Sequence, residues 1–392
     1  MVKICFVTDD ISQIGGIQRV TSVLVNELSQ NSENEISILF TSPIDKAKLN
    51  VYKIEDTVNV YYTNYLYPKR YKYLINKMIS KINTNIIKLS MQKLLIESYF
   101  PNKEILLYEN FFKENPQDII IGIGPKFSAK VSLLNLESKK IGWLHNTYKR
   151  YFEIPKKWLW NQEDIYKKLF NKLDELVVLS DFDKEEYDKY FDINSIRIYN
   201  PLSFMSEEKS KLNQNTLLFV GRILYETKGI NLLLKIMSQI VKVKPNIILN
   251  IVGDGPDRNR MIDDIKSLKL ENNILYHGGT SNVEDHYLNN SILLLPSTIE
   301  GFGLVVTEAM EYGLPVISFE TEGPSEIIED SVSGYLIPKF NIELFSEKIL
   351  YLLSNPTRLK EMGESAAIRS NEFSSRNIVR QWEILFRNLI NR

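Results

Sequence analysis

The segment Leu217–Val252 decides the fold, and it reads LLFVGRILYETKGINLLLKIMSQIVKVKPNIILNIV. Its two ends, residues 217–220 and 247–252, are continuous apolar runs, which are typical of strands buried on both faces of a parallel sheet. Residues 230–241 carry apolar side chains at helical spacing, and a loop with two glycines precedes them. The segment therefore predicts a strand, a loop, a helix and a second parallel strand, the repeating unit of a doubly wound α/β domain.

Apolar runs of the same kind alternate with amphipathic stretches along the whole chain. They occupy residues 4–8, 36–40, 119–121, 141–144, 176–179, 292–295 and 316–318. A chain of 392 residues has room for two domains at roughly 100 to 200 residues each. We therefore predict two Rossmann-like, doubly wound α/β domains.

The boundary between the two domains is predicted near Asn200–Pro201, because the polar segment 206–215 separates one series of strands from the next. The domains are then 1–199 and 200–375. The final segment, 376–392, has apolar residues at helical spacing, namely Ile378, Trp382, Leu385, Phe386 and Leu389. We expect this segment to form a helix that packs back on the N-terminal domain.

Composition restricts the class of protein. The 48 Lys and Arg residues nearly balance the 49 Asp and Glu residues, and 44% of the residues are hydrophobic, which indicates a globular chain with no nucleic-acid partner. The single cysteine, Cys5, cannot form an internal disulfide, and the N-terminus is too polar for a secretion signal. No apolar run reaches the length of about 18 residues that a membrane span needs. We expect a cytoplasmic protein whose contact with a membrane, if any, is peripheral.

One stretch, residues 64–100, is strongly basic. It contains seven Lys and Arg residues and one acidic residue, Glu97. Lys77, Lys81 and Lys88 share one helical face, which suits a helix that lies on the anionic inner face of the plasma membrane. An ordinary solvated helix explains the same pattern equally well, so both interpretations stay open.

Two cations lie in the loop of the opening segment. Arg222 can hold an oxyanion through two parallel hydrogen bonds, and Lys228 supplies a point charge. Both precede the N-terminus of a helix, which adds partial positive charge. Gly221 and Gly229 allow a ligand to approach the backbone closely. The loop therefore predicts a clamp for a diphosphate.

A second glycine-bearing loop carries Glu300, and Glu308 follows one to two turns into the next helix. The backbone N–H groups of Phe302, Gly303 and Leu304 open that helix and can donate to phosphate or sugar oxygens. Carboxylates accept hydrogen bonds from vicinal hydroxyls. Two carboxylates with this intervening loop suit a nucleotide sugar.

Glycine pairs elsewhere give weaker signals. Gly15 and Gly16 follow the first strand and precede a helix, so the Gly16 backbone could approach a phosphate. A tight turn is the commoner reason for such a pair of glycines. The pairs Gly122/Gly124 and Gly253/Gly255 lack the third glycine of the dinucleotide-binding fingerprint, so NAD and FAD are not expected.

Metal binding is not expected either. His145, His277 and His286 are far apart and lack the spacing of metal ligands. Asp181 and Asp183 form an Asp-x-Asp, but they follow Ser180 after an apolar run and fit better as the start of a capped helix. We therefore predict no metal and no cofactor.

In order, these motifs resemble the retaining GT-B glycosyltransferases of family 4, the glycosyl transferases group 1. The matching motifs are Gly15-Gly16, Trp143-Leu-His145, Gly221-Arg222 with Lys228-Gly229, Val252-Gly-Asp-Gly-Pro256, and Glu300 followed by Glu308. The resemblance covers nearly the whole chain. It implies two Rossmann-like domains that face a cleft, with the donor nucleotide held mainly by the C-terminal domain and the acceptor mainly by the N-terminal domain.

The resemblance also implies roles for single residues. Arg222 and Lys228 would neutralise the donor diphosphate, Glu300 would contact the transferred sugar, and His145 would lie beside that sugar at the reacting face. Glu308 would bind the ribose hydroxyls. The donor-binding set as a whole is Gly16, Arg222, Lys228, Gly253, Phe302, Gly303, Leu304 and Glu308.

The function implied is transfer of a hexose or N-acetylhexosamine from a UDP-sugar, with retention and without a metal. The acceptor would be a glycan, a lipid-linked glycan or a protein, in the synthesis of bacterial surface polysaccharides or glycoconjugates. Two alternatives remain: a nucleotide-sugar epimerase or hydrolase on the same fold, and a non-catalytic partner subunit of a glycosyltransferase complex.

Overall fold

The structure is a computed structural model. It describes residues 1–9, 15–41, 52–63, 93–212, 215–280 and 282–391. The chain forms two compact units: Met1–Pro201 together with Ile378–Arg392 form the first unit, and Leu202–Asn377 form the second. The chain therefore crosses from one unit to the other twice, after Pro201 and after Asn377.

The first unit is built on a sheet of seven parallel strands in the order β3-β2-β1-β4-β5-β6-β7. The strands are β1 (Val2–Thr8), β2 (Asn34–Phe40), β3 (Asn59–Tyr62), β4 (Ile119–Ile123), β5 (Lys139–Trp143), β6 (Glu175–Val178) and β7 (Ile196–Arg197). The helices with both ends in the described residues are α1 (Gly16–Ser29), α2 (Asn102–Glu114), α3 (Gly124–Ser132), α4 (Tyr148–Phe152), α5 (Glu163–Phe170) and α6 (Asp181–Phe191). Residues 93–99 are also helical. The helix expected after Ser180 is present, and the Ser180 hydroxyl caps it by accepting from the Asp183 N–H at 3.0 Å.

The C-terminal helix, Ser375–Ile390, belongs to the first unit over most of its length. All five apolar residues that predicted it are buried: Ile378, Trp382, Leu385, Phe386 and Leu389. The Trp382 ring packs edge-on against Trp143 at the end of β5, with 5.2 Å between ring centroids. The prediction that the last helix packs back on the N-terminal domain is confirmed.

The second unit contains six parallel strands in the order β10-β9-β8-β11-β12-β13. The strands are β8 (Thr216–Val220), β9 (Ile248–Val252), β10 (Ile274–Gly278), β11 (Ile292–Leu295), β12 (Val316–Phe319) and β13 (Gly334–Ile337). The helices are α7 (Tyr225–Lys228), α8 (Ile230–Val243), α9 (Arg258–Ser267), α10 (Glu284–Leu288), α11 (Leu304–Glu311), α12 (Glu322–Ile327), α13 (Ile342–Ser354) and α14 (Pro356–Ser370). A 3-10 turn, Asn371–Phe373, follows.

Both units have the strand order of a doubly wound Rossmann-like fold, and the predicted pair of parallel α/β domains is confirmed. In such a sheet the strand order reverses at one point, and ligands bind outside the carboxyl ends of the two strands that flank it. In the second unit those strands are β8 and β11, which pair directly through Leu217 and Ile292. In the first unit they are β1 and β4, which pair through Ile4 and Ile119.

Among the helices that the structure describes, none is both long and apolar enough to cross a membrane. Most of the basic stretch, residues 64–92, lies outside the described residues. The peripheral membrane contact predicted from that stretch stays a prediction.

Candidate functional site

In the second unit, the two loops that carry the predicted clamp and the predicted glutamate pair leave the sheet at neighbouring strands. The Arg222 loop follows β8, and the Glu300 loop follows β11. The loops are also bonded to each other, because the Thr298 N–H donates to the Thr227 carbonyl at 2.9 Å. The fold therefore brings together residues that are more than 70 positions apart in sequence.

Two glycines make this close approach possible. A Cβ atom at Gly229 would lie 2.0 Å from the carbonyl oxygen of Pro296, and a Cβ atom at Gly253 would lie 1.9 Å from that of Gly221. Both residues also have positive φ, 63° at Gly229 and 131° at Gly253, a conformation that other residues rarely adopt. The absence of a side chain at Gly253 thus allows the loop after β9 to pack directly against the loop after β8.

Lys228 and Glu300 form an ion pair across these loops, with 2.5 Å between Lys228 Nζ and Glu300 Oε1. The Ser297 hydroxyl donates to the same carboxylate oxygen at 2.8 Å. The Glu300 side chain is 9% exposed and that of Lys228 is 22% exposed, so water screens the pair only partly. Glu300 is therefore held in one orientation by two donors.

Arg222 lies one residue after Gly221 and its side chain is exposed. Within the described part of the chain, no carboxylate lies within ion-pairing distance of its guanidinium. Its charge is therefore not neutralised by a described neighbour. A guanidinium in this state can hold a phosphate through two parallel hydrogen bonds.

Glu308 is 2% exposed, and both of its oxygens accept hydrogen bonds. Ser203 Oγ donates to Oε1 at 2.8 Å, and the Tyr287 hydroxyl donates to Oε2 at 2.8 Å. Ser203 is the second residue of this unit, and Tyr287 lies on α10. Sequence reasoning missed both hydroxyls, because each is distant from Glu308 in sequence and neither lies in a motif.

The helix that carries Glu308 begins at Leu304, and Gly303 precedes it in a left-handed conformation with φ 94°. The N–H groups of the first turn of a helix have no acceptor within that helix and carry partial positive charge. Phe302 is buried, and its ring packs edge-on against Phe373 at 5.9 Å between centroids. This start of the helix is therefore both fixed in place and suited to an anion or a sugar hydroxyl.

The remaining two predicted residues, Gly16 and His145, belong to the first unit. Gly16 is the first residue of α1, after the carboxyl end of β1. His145 follows β5, is 7% exposed, and packs on Trp143 with 4.3 Å between ring centroids. Neither ring nitrogen of His145 has a hydrogen-bond partner among the described residues. Burial lowers the pKa of His145 to about 3, so the imidazole is neutral at physiological pH.

The other two histidines are adjacent in space, which their separation in sequence did not indicate. The rings of His277 and His286 have centroids 4.7 Å apart, and His277 Nε2 lies 2.7 Å from Asn250 Oδ1. Burial and the neighbouring His277 lower the pKa of His286. No group of three or more His, Cys, Asp or Glu residues within the described ranges is placed to hold a metal ion.

Residues 203–369 match the family described as "Glycosyl transferases group 1". This part of the chain belongs to that family. It spans the clamp loop, both glutamates and the helix that carries Glu308. The predicted match to the glycosyl transferases group 1 is therefore confirmed, whereas family 4 and the retaining mechanism stay predictions.

Two relatives extend the similarity beyond residues 203–369. An uncharacterized glycosyltransferase of Haemophilus influenzae is 27% identical over 98% of this chain and 99% of its own length. The poly(ribitol-phosphate) alpha-N-acetylglucosaminyltransferase of Staphylococcus aureus is 27% identical over 71% of this chain and 57% of its own length.

A mutant form of S. aureus TarM, solved with fondaparinux, alpha-GlcNAc-glycerol and UDP, has a similar fold. Its TM-score is 0.77 at 18% identity, and the match covers 100% of both chains. This likeness concerns the fold alone and agrees with the two parallel sheets described above. The chain has the GT-B fold.

Proposed function

We propose that this protein is a retaining glycosyltransferase that moves a hexose or N-acetylhexosamine from a UDP-sugar to a glycan, lipid-linked or protein acceptor. The observation that carries the proposal is the cluster at the carboxyl edge of the second unit's sheet. There Arg222, Lys228, Glu300 and Glu308 lie on loops and a helix fixed by Gly229 and Gly253. Cations, a helix start and buried carboxylates are the groups that a sugar diphosphate needs.

The proposed chemistry follows from where charge develops. Cleavage of a glycosidic bond passes through an oxocarbenium-like state, and with a nucleotide sugar the negative charge grows on the leaving diphosphate. Arg222 and Lys228 would stabilise that charge from fixed positions, an effect commonly worth about 3 kcal/mol for each donor. Because side chains supply the positive charge in this proposal, no metal is needed.

Glu300 and His145 have narrower roles in the proposal. Glu300 accepts from both Lys228 and Ser297, so it is better suited to orient a sugar hydroxyl than to attack the sugar. His145 is neutral because its pKa is about 3. It can donate or accept a hydrogen bond but cannot contribute a positive charge. In this proposal the departing phosphate takes the proton of the acceptor.

The proposed biological setting is the synthesis of surface polysaccharide or glycoconjugate. The relative in S. aureus is named for transfer of N-acetylglucosamine to poly(ribitol phosphate), which supports that setting. We also propose that the protein acts in the cytoplasm, with the acceptor bound mainly by the first unit.

Calorimetric titration with UDP, GDP, ADP and CDP, with and without EDTA, tests the proposal. We expect one diphosphate to bind equally well with and without EDTA. Arg222→Ala should weaken that binding by at least about tenfold, because a charged hydrogen-bond partner is lost. Arg358→Ala is the matched control, because Arg358 bonds instead to Glu361 and Ser331 on the surface of the same unit.

Product analysis with the matching nucleotide sugar then separates transfer from the other activities. Transfer requires an added acceptor, whereas an epimerase or hydrolase alters the donor without one. If no nucleoside diphosphate binds, the proposal is wrong and a non-catalytic partner subunit becomes the better interpretation.

A further inference from the structure

The loop that joins α4 to α5 in the first unit, residues 153–162, exposes a tryptophan ring. The chain has four tryptophans, and two of them, Trp143 and Trp382, are fully buried. Trp158, in this loop, is 55% exposed. A single exposed apolar side chain is common on protein surfaces, so the exposure of Trp158 gains meaning only from the structure around it.

The backbone of this loop is strained. Lys156 and Trp158 have φ values of 62° and 46°, in the left-handed region that long or bulky side chains rarely adopt. Such conformations cost free energy and persist only where the surrounding structure imposes them, and they concentrate at sites that hold a ligand. The loop therefore keeps Trp158 on the surface in an unfavourable conformation.

Neighbouring residues hold the Trp158 ring in place. The Leu159 N–H donates to the Tyr151 carbonyl at 2.9 Å, which closes the loop back onto α4. The Trp158 ring packs edge-on against Tyr151, with 6.1 Å between ring centroids. The Arg150 guanidinium lies 5.4 Å from the centre of the Trp158 ring. The ring is thus presented by a fixed support, although more than half of the residue stays in contact with water.

The loop lies near His145, at the carboxyl end of β5. Helix α4 begins at Tyr148, three residues after His145. Burial raises the pKa of Tyr151 to about 12, and hydrogen bonds with the Asn146 side chain and the His145 backbone lower it. Tyr151 therefore contacts His145 at its hydroxyl and Trp158 at its ring.

The surroundings of Trp158 are positively charged. Residues 148–162 contain four basic side chains, Lys149, Arg150, Lys156 and Lys157, and one acidic side chain, Glu153. Within the ranges that the structure describes, neither Arg150 nor Lys156 has a carboxylate at ion-pairing distance. A ligand that carries negative charge matches this surface.

An acidic saccharide chain fits both the ring and the charges. One face of a pyranose ring presents C–H groups with slight positive charge, and the face of an indole ring is negative. Such a sugar can lie on Trp158 while its acidic groups reach Arg150 and Lys156. A membrane surface fits less well, because interfacial anchors place several apolar side chains on one face. In residues 153–162, Trp158 is the only large apolar side chain that is exposed.

We propose that Trp158, together with Arg150 and Lys156, forms a binding subsite for an acidic saccharide chain, and that this saccharide is the acceptor. The role as acceptor rests on the proposed function, because an acceptor exists only if the protein transfers a sugar. The binding subsite itself does not depend on the transfer reaction.

NMR spectra of the full chain with isotope-labelled tryptophan test the subsite. Trp158→Phe identifies the indole signal of Trp158 by its loss from the spectrum. Acidic tetrasaccharides of hyaluronan and of polygalacturonate should shift that signal in wild-type protein. The neutral tetrasaccharide of chitin should bind about threefold more weakly, because it forms no ion pair. Added salt should reduce this difference, since exposed charges are screened.

Variants separate the contribution of the ring from that of the charges. In calorimetric titrations, Trp158→Ala should lower the affinity for the acidic tetrasaccharides by about tenfold, because the contact with the aromatic ring is lost. Trp158→Tyr keeps a ring and should keep most of the affinity. Combined Arg150→Gln and Lys156→Gln should bind the acidic and neutral tetrasaccharides equally.

Phe340→Ala is the matched control. Phe340 is also an exposed aromatic residue with a left-handed backbone, at φ 69°, but it lies in the second unit. Its replacement should leave saccharide binding unchanged, and thermal unfolding of each variant reports loss of fold separately. If no acidic tetrasaccharide shifts the Trp158 signal, or if Trp158→Ala binds as tightly as wild type, the inference is wrong. It is also wrong if anionic phospholipid vesicles shift the signal and the saccharides do not.

Titration with nucleoside diphosphates tests the proposed function independently, and Trp158→Ala should bind them as wild type does. If the saccharide binds at Trp158 but no diphosphate binds, the proposed function and the role as acceptor are wrong and the subsite stands. If a diphosphate binds but the saccharides do not, the subsite is wrong and the proposed function stands. If both bind and the saccharide receives no sugar from the matching nucleotide sugar, only the role as acceptor is wrong.

Discussion

Lys228 Nζ lies 2.5 Å from Glu300 Oε1, so the lysine of the predicted diphosphate clamp is paired with the carboxylate expected to contact the sugar. The pair fixes both side chains at the carboxyl edge of the sheet. It also means that part of the lysine charge is already neutralised by the protein. Glu300 therefore opposes phosphate binding while it orients the lysine.

This relationship predicts that Glu300→Gln raises the affinity for the diphosphate product and lowers the rate of transfer. Removing the carboxylate charge should tighten binding by about threefold, the size of effect expected for a partly exposed ion pair. Calorimetric titration measures the affinity for the diphosphate, and turnover measurements give the rate of transfer. The control is Glu343→Gln, an equal charge change at an exposed position of the same unit. Weaker diphosphate binding by Glu300→Gln would contradict the inference that Glu300 opposes phosphate binding.

Gly229 predicts a strong effect on stability. Gly229→Ala would place a methyl group 2.0 Å from the Pro296 carbonyl oxygen at a residue with φ 63°, so we expect a loss of about 2 kcal/mol or more in the free energy of unfolding. Urea unfolding measures it. Gly279→Ala is the control, because the nearest atom to its Cβ would be 3.7 Å away. Equal stability of the two variants would show that the loops can separate without cost.

His145 predicts a pH dependence of stability. Its pKa is about 3 in the folded protein and 6.5 in a model peptide, so unfolding takes up a proton between these values. The free energy of unfolding should therefore fall as the pH is lowered from about 6.5 toward 3, and this contribution should be fully present above 6.5. Urea unfolding at pH 5 and pH 7 should show a smaller difference for His145→Gln than for wild type. Equal differences would mean that the imidazole is not buried as described.

The basic stretch predicts an effect on membrane binding. Replacing Lys77, Lys81 and Lys88 by Gln should lower the affinity for anionic phospholipid vesicles, measured by sedimentation, by about tenfold or more. Each lysine near a charged surface contributes to the free energy of binding. The control replaces Lys235, Lys242 and Lys266, three exposed lysines of the second unit, with the same loss of charge. Unchanged sedimentation of the first variant would leave an ordinary solvated helix as the interpretation.

The central strands could be predicted from the sequence, whereas the edge strands β3, β10 and β13 could not. Strands such as β4 and β11 are fully buried and consist of Ile and Leu, apart from Gly122 in β4. The edge strands β3 and β10 contain both exposed and partly buried residues, and β13 contains a glycine and a tyrosine. Without a continuous apolar run these short strands resemble loops, because their position in the sheet depends on neighbours that are distant in sequence.

The same limit applies to the candidate site. Arg222, Lys228, Glu300 and Glu308 lie in local motifs, and the order of the strands brings the loops after β8 and β11 next to each other, where Lys228 and Glu300 form an ion pair. The hydrogen bond from Ser203 to Glu308 could not be predicted, because Ser203 lies at the start of a polar segment that resembles a linker. In the structure that segment is anchored, since Ser206 and Lys209 both bond to the buried Glu311.

The two crossings of the chain have a consequence for biosynthesis. The second unit is continuous in sequence, whereas the first unit is completed only by the C-terminal helix, which covers Trp143 with Trp382. Domains generally fold as units in the order in which the ribosome makes them. Here residues 202–377 can fold while the first unit still lacks its last helix. The part of the protein that is synthesised first is therefore the last to reach its final packing.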